Sequence, residues 1–167
     1  IKAIIPVHFA GQAVDMVRIN ELSEKYNLFV VEDAAQALGS KFKGQFAGTF
    51  GLASDISFFP AKNLGSLGDA GAILVNDESL YEKIYQIHDH GRDFNGDVKR
   101  WGRNSRLDNI QAAILSYKLK SYEKIIQRRR AVAQMYEDRL SSLDELTLPP
   151  GPKSNSDNYD VFQNYEL

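Results

Sequence analysis

The chain has 167 residues, 43% of them hydrophobic and 25% charged, with a formal net charge of −2. That composition is ordinary for a globular domain with a real core, and so small a net charge gives no electrostatic case for nucleic acid or an anionic membrane. The chain has no cysteine, which excludes disulfides and cysteine-ligated metals, and no apolar run approaches the roughly 20 residues of a membrane span.

Ala3 to Val7 reads as a short apolar strand. Ala13 to Tyr26 sets Val14, Val17, Ile19 and Leu22 among polar residues, the pattern of an amphipathic helix. Leu28 to Val31 has no alternation and reads as a buried parallel strand. Strand, helix and strand in about 30 residues predict a βαβ unit with a right-handed crossover. Asp33 then falls at the carboxyl end of a strand, where open α/β sheets bind ligands. Lys41 to Leu52 is glycine-rich and turn-like, and two further strands are expected at Asp55 to Phe59 and Gly71 to Val75. Asp77-Glu78-Ser79 opens a helix running to His88, its acidic first turn suiting the helix dipole. His90 to Arg103 is polar and irregular.

From Asp108 to Leu143 the apolar residues keep a helical period and predict one long, bent helix. At 1.5 Å per residue, ~35 residues would span ~50 Å, a length that suits a bridge between domains or subunits. Leu148-Pro149-Pro150-Gly151-Pro152 ends it and begins a linker, and Tyr159 to Leu167 reads as a strand. The expected division is therefore residues 1–147, including the long helix, and residues 148–167, a linker with the start of a smaller domain. A start without methionine and an end inside a strand-like run are what a piece of a longer protein would show.

The sharpest chemical signal is Ser57-Phe58-Phe59-Pro60-Ala61-Lys62-Asn63-Leu64-Gly65, followed by Gly68-Asp69-Ala70-Gly71. A strand stops at a proline, and Lys62 is set between that proline and a glycine-rich loop. A lysine that attacks a carbonyl needs such fixed, partly desolvated surroundings. Paired with the strand-end carboxylate of Asp33, it meets the requirement of a pyridoxal phosphate (PLP) site: an acid for the pyridinium nitrogen and an amine for the aldehyde. The three histidines, His8, His88 and His90, are not spaced as a metal site. The glycines from Gly65 to Gly71 lack the Gly-Lys-Ser/Thr ending of a triphosphate-binding loop.

Five pieces in order carry a resemblance: Pro6-Val7-His8-Phe9-Ala10-Gly11, Glu32 to Gly39, Ser57 to Gly71, His90-Gly91-Arg92-Asp93, and Asn104 to Ala113. The segment from Ile5 to Ala113 resembles the DegT/DnrJ/EryC1/StrS family of PLP-dependent sugar aminotransferases, of aminotransferase fold type I. The resemblance implies a three-layer α/β/α large domain whose long helix leads to a smaller, here incomplete, domain. It implies that Lys62 forms the internal aldimine (the Schiff base) with PLP and carries a proton. It also implies that Asp33 pairs with the ring nitrogen, Gln36 contacts the ring 3-hydroxyl and Ser57 binds the phosphate. Asn104 would reach the phosphate in a neighbouring subunit, giving a homodimer with shared sites, and Arg106 and Asp108 would brace that loop, with Asp108 capping the helix. The implied substrates are a nucleotide-linked keto sugar and an amino-acid donor such as glutamate, in the cytoplasm. The retained lysine sets the chain apart from the family's dehydratases, where a histidine stands there. A reading from another class is a non-catalytic structural or dimerisation module, with the isolated chain turning over poorly or not at all.

Overall fold

The computed structural model describes residues 1–153 and 157–167. A four-stranded sheet runs β1 (Ala3–Ile4), β2 (Phe29–Asp33), β5 (Ala53–Ser57), β6 (Gly71–Val75), with β1, β2 and β5 parallel and β6 antiparallel. A second sheet joins β3 (Lys41–Phe42), β4 (Gln45–Phe46) and β7 (Asn158–Tyr159). The helices are α1 (Met16–Tyr26), α2 (Glu78–His88), α3 (Asn109–Leu119) and α4 (Tyr122–Leu140). No described helix is long and apolar enough to cross a membrane.

The register assigns the two faces of the main sheet. Val30 packs with Ala13, Met16, Ala37, Phe42 and Ala47 in a core under α1. Asp33 stands opposite Asp55, and Asp55 opposite Ile73, so these three point to the other face. There Ile73 and Val75 meet Tyr81, Ile84 and Tyr85 of α2 across a groove. Helices on both faces make the expected three-layer α/β/α arrangement. A second core gathers Leu64, Leu115, Tyr122, Ile126 and Val161, tying α3 and α4 to the lysine loop.

Several boundaries differ from the sequence reading, each for a local reason. The helix expected from Ala13 starts at Met16 because Asp15 caps it, its carboxylate accepting from the Arg18 amide at 3.0 Å. The turn-like stretch after Lys41 contains a hairpin. Lys43 and Gly44 both take positive φ, +48° and +83°, as a two-residue hairpin turn of the favoured hand requires. The strand expected over Asp55 to Phe59 is shifted to Ala53–Ser57 by its pairing with both β2 and β6.

The single long helix is two. Ser121 breaks it: its amide and hydroxyl both turn back to the Lys118 carbonyl, at 3.0 and 3.1 Å. Tyr122, only 7% exposed, opens α4 and donates its hydroxyl to the Leu38 carbonyl at 2.8 Å. Burial pushes the Tyr122 phenol up to about 12. An acid whose folded pKa is raised contributes stability below its ordinary value of 10.0 and loses it as pH climbs toward 12. Tyr122→Phe should therefore cost about 1 kcal/mol at pH 8, yet lose less than the wild type does between pH 10 and 12. Urea midpoints at pH 8 and pH 11 would show it, and parallel pH curves for the two proteins would refute it.

Residues beyond β7 are not a strand; only Asn158–Tyr159 pairs, with β3. The following segment folds back on the body, where Val161 is fully buried and its amide donates to the Gly11 carbonyl at 3.0 Å.

Candidate active site

The carboxyl ends of β2 and β5 lie side by side, and the site is built there. Asp33 ends β2. Its amide donates to the Pro6 carbonyl at 2.9 Å, and its carbonyl accepts from the His8 amide at 3.0 Å. Its Oδ1 accepts from the Ala35 amide at 3.1 Å, leaving Oδ2 as an open acceptor. Gln36 follows in the turn. Its Oε1 accepts from the Ala10 amide at 2.7 Å, so its Nε2 is the end presented as donor. Ala10 takes φ +55° to make that bond, a conformation that costs a non-glycine residue roughly 1–2 kcal/mol. Here the chain reads His8-Phe9-Ala10-Gly11, where the resembled family has His-Leu-Tyr-Gly, so no phenol hydroxyl is offered at residue 10.

Ser57 is the last residue of β5. Its Oγ accepts from the Phe59 amide at 3.2 Å, which leaves its own proton to donate. Lys62 is half-buried in the turn that follows, its amide bonded to the Phe59 carbonyl at 2.9 Å. The loop is tightly closed. Phe58 bonds to Ala70, and both the amide and the hydroxyl of Ser66 reach the Phe58 carbonyl at 2.8 Å. Gly65 lies against Pro60 so closely that a Cβ would come within 2.4 Å of the Pro60 carbonyl oxygen, which is why a glycine is needed there.

Reading the sequence missed Asp55. It stands in register beside Asp33, and its carboxyl pKa is raised by partial burial, then by the Asp33 charge, against an opposing pull from Lys62. Asp33, Asp55 and Lys62 thus share one electrostatic neighbourhood. A polar residue at an alternating strand position was the only local signal.

Glu32 was also missed. It is fully buried, with Oε2 taking the His8 Nε2–H at 2.9 Å and the Gly48 amide at 2.7 Å. Its Oε1 takes the amides of Phe50 and Gly51 at 2.7 and 2.6 Å. The Val14 amide donates to His8 Nδ1 at 3.2 Å, so that nitrogen is bare and Nε2 carries the proton. Burial alone would raise the Glu32 pKa; the His8 bond and the three amides outweigh it and hold the carboxyl below its ordinary range.

Asn104 lies in the loop that follows α2. It bridges to Asp89 just beyond α2, and its Oδ1 accepts from Arg106 Nε at 3.2 Å. Arg106 also pairs with Asp89 at 3.4 Å, so it braces the loop as expected. Asp108 occupies the N-cap position of α3 but makes no side-chain cap bond, contrary to the expectation; its backbone carbonyl accepts from Ala112 instead.

The donor set fits PLP: one carboxylate oxygen, one amide N–H, one hydroxyl and one half-buried amine, all from β2, β5 and the turns that follow them.

The sequence model described as the DegT/DnrJ/EryC1/StrS aminotransferase family matches residues 1–165. A Geobacillus stearothermophilus protein named as a pleiotropic regulatory protein is 42% identical over 99% of this chain and 44% of its own length. A UDP-2-acetamido-2-deoxy-3-oxo-D-glucuronate aminotransferase from Pseudomonas aeruginosa is 42% identical over 99% of this chain and 45% of its own. The chain thus spans less than half the length of these relatives. Among solved structures, an aminotransferase of this description from Brucella abortus superposes with a TM-score of 0.88 at 38% identity, over 98% of this chain and 43% of that one. A Bacillus subtilis protein solved with bound cofactor PMP superposes at 0.83 with 32% identity, over 98% of this chain and 37% of that one.

Proposed function

The chain belongs to the DegT/DnrJ/EryC1/StrS aminotransferase family, and from that premise we propose that it carries the cofactor-binding part of a PLP-dependent sugar-nucleotide aminotransferase. The reaction proposed moves an amino group from an amino acid, glutamate or one like it, to a nucleotide-linked keto sugar. The observation that carries the proposal is that Asp33 and Ser57 end two adjacent parallel strands, with Gln36 and Lys62 in the turns that follow and both Asp33 and Lys62 within electrostatic reach of Asp55.

When bound, PLP supplies an electron sink for the pair left on the amino-acid α-carbon. Each residue then has one task. Asp33 Oδ2 accepts from the ring N–H and keeps that nitrogen protonated. Gln36 Nε2 donates to the ring 3-oxygen, oriented by the Ala10 amide. The Ser57 hydroxyl donates to the phosphate. Lys62 Nζ would hold the cofactor aldehyde as its nucleophile and would carry a proton to and from the amino-acid α-carbon. Asp55 adds negative charge beside Asp33 and Lys62 and so favours the protonated ring nitrogen.

In this reading Asn104 serves a second copy, and the working unit is a cytoplasmic homodimer. Residues 1–147 supply the cofactor-binding part and residues 148–167 lead toward the smaller domain.

The test is to mix the chain with PLP, record the visible spectrum, reduce with borohydride and locate the adduct by peptide mass. One reduced adduct, on the peptide holding Lys62, is expected. No adduct, or label spread evenly over surface lysines such as Lys124, would favour a non-catalytic module for this chain.

A further inference from the structure

One side chain from the far end of the chain grips both peptide groups that flank Lys62. The Gln163 Oε1 accepts from the Asn63 amide at 3.0 Å, and its Nε2 donates to the Ala61 carbonyl at 3.1 Å. Asn63 answers with its own Nδ2, which donates to the Val161 carbonyl at 3.2 Å. A single planar amide supplies one acceptor and one donor, and that is the complement the two peptide groups need. Neither a carboxylate nor an apolar side chain can make both bonds.

The segment bearing Gln163 is itself held hard. Arg129 Nη1 donates to the carbonyls of Phe162 and Gln163 at 3.0 and 3.2 Å. Arg130 Nη1 donates to the Asp160 carbonyl at 2.7 Å. Phe162, immediately before Gln163, takes φ +48°. A bulky residue stays in that region only where its surroundings over-determine it, and such strain gathers where a position has to be exact. Phe162 is only 7% exposed. On the other side, Gly11 admits the segment: a Cβ there would lie 2.7 Å from the Gln163 amide nitrogen.

We infer that Gln163 is the positioning residue for Lys62. Through it, α4 and the segment after β7 set the backbone of the lysine turn and hence where Nζ is presented. This rests on the reading of Lys62 as the cofactor lysine. It also makes the lysine's placement depend on residues 160–163, so a movement of that segment would be felt at the amine.

The test compares Gln163→Leu, which loses both bonds, with Gln163→Glu, which keeps the acceptor and loses the donor. The first readout is amide hydrogen exchange at Asn63 in the cofactor-free chain. Exchange should speed up at least tenfold in Gln163→Leu and stay near wild type in Gln163→Glu, whose carboxylate still accepts from that amide. The second is the rate of Lys62 acetylation by acetic anhydride at one pH, read by peptide mass, as a ratio to exposed Lys124. That ratio should change at least threefold in Gln163→Leu, and the PLP adduct at Lys62 should weaken at least tenfold. Urea midpoints identify a variant that is merely less stable, and general loosening would speed exchange at amides away from the lysine turn, such as Val30, along with Asn63. Unchanged Asn63 exchange, or an unchanged Lys62-to-Lys124 acetylation ratio, in a folded Gln163→Leu protein would overturn the inference. Should wild type bind no PLP while Gln163→Leu still alters both cofactor-free readouts, the cofactor reading fails and the positioning stands.

Discussion

Lys62→Ala is expected to abolish the borohydride-fixed adduct entirely, and Lys62→Arg to do the same while keeping the charge. In the proposed reading Lys62 supplies the amine, and an amine gives the imine that borohydride fixes, so no graded loss is expected in that readout. Amino transfer in an assembled enzyme should fall further, by the ~10²–10⁴ that a positioned proton carrier contributes. A small primary amine added to Lys62→Ala should restore part of that, since it can move the proton without the tether. The measurement is the visible spectrum with PLP, then peptide mass after reduction. A Lys62→Ala chain that still yields one site-specific adduct would place the reactive lysine elsewhere. The fold should survive the change, because Lys62 is half-buried and the loop around it is closed by Phe58, Ser66 and Gly65 rather than by the lysine's own side chain.

Glu32→Leu carries the largest expected effect on stability. Removing the carboxylate leaves the amides of Gly48, Phe50 and Gly51 and the His8 Nε2–H without their acceptor, at a site where Glu32 and His8 themselves are fully buried. Leaving a buried donor without its charged acceptor costs about 1–3 kcal/mol each, so together these losses take a large share of the ~5–15 kcal/mol that holds a domain folded. The pH dependence follows from the lowered folded-state pKa. Glu32 contributes its full stabilisation above its ordinary value of 4.5 and loses it as pH falls through the lower folded value. The gap between wild type and Glu32→Leu should therefore be widest near neutral pH and narrow in acid. Urea midpoints at pH 7 and pH 4 would measure it. Equal midpoints at pH 7 would mean that the four hydrogen bonds contribute nothing net. The variant should also weaken PLP binding, because His8 bonds Glu32 through its ring and Asp33 through its backbone amide.

What the amino-acid order determined by itself is what local chemistry decides. Gly71–Val75 forms the expected strand, and α2 begins where expected because Asp77 accepts from the Leu80 amide at 2.7 Å. Asp33, Gln36, Ser57 and Lys62 lie within about 30 residues of one another, in turns whose prolines, glycines and strand ends are visible in the order of residues. The family followed from the same short pieces. The break at Ser121 was hidden inside a continuous apolar period, because a helix and two helices in line share one pattern and a single serine's bond back to Lys118 decides between them. Only the tertiary structure could set Asp55 beside Asp33, turn Glu32 from a strand residue into the hub for His8 and the loop at Gly48, and lay Gln163 across Lys62. Those contacts join residues 22, 24, 16 and 100 positions apart. Sheet register and chain return bring such groups together, and nothing in the residues between them encodes the meeting.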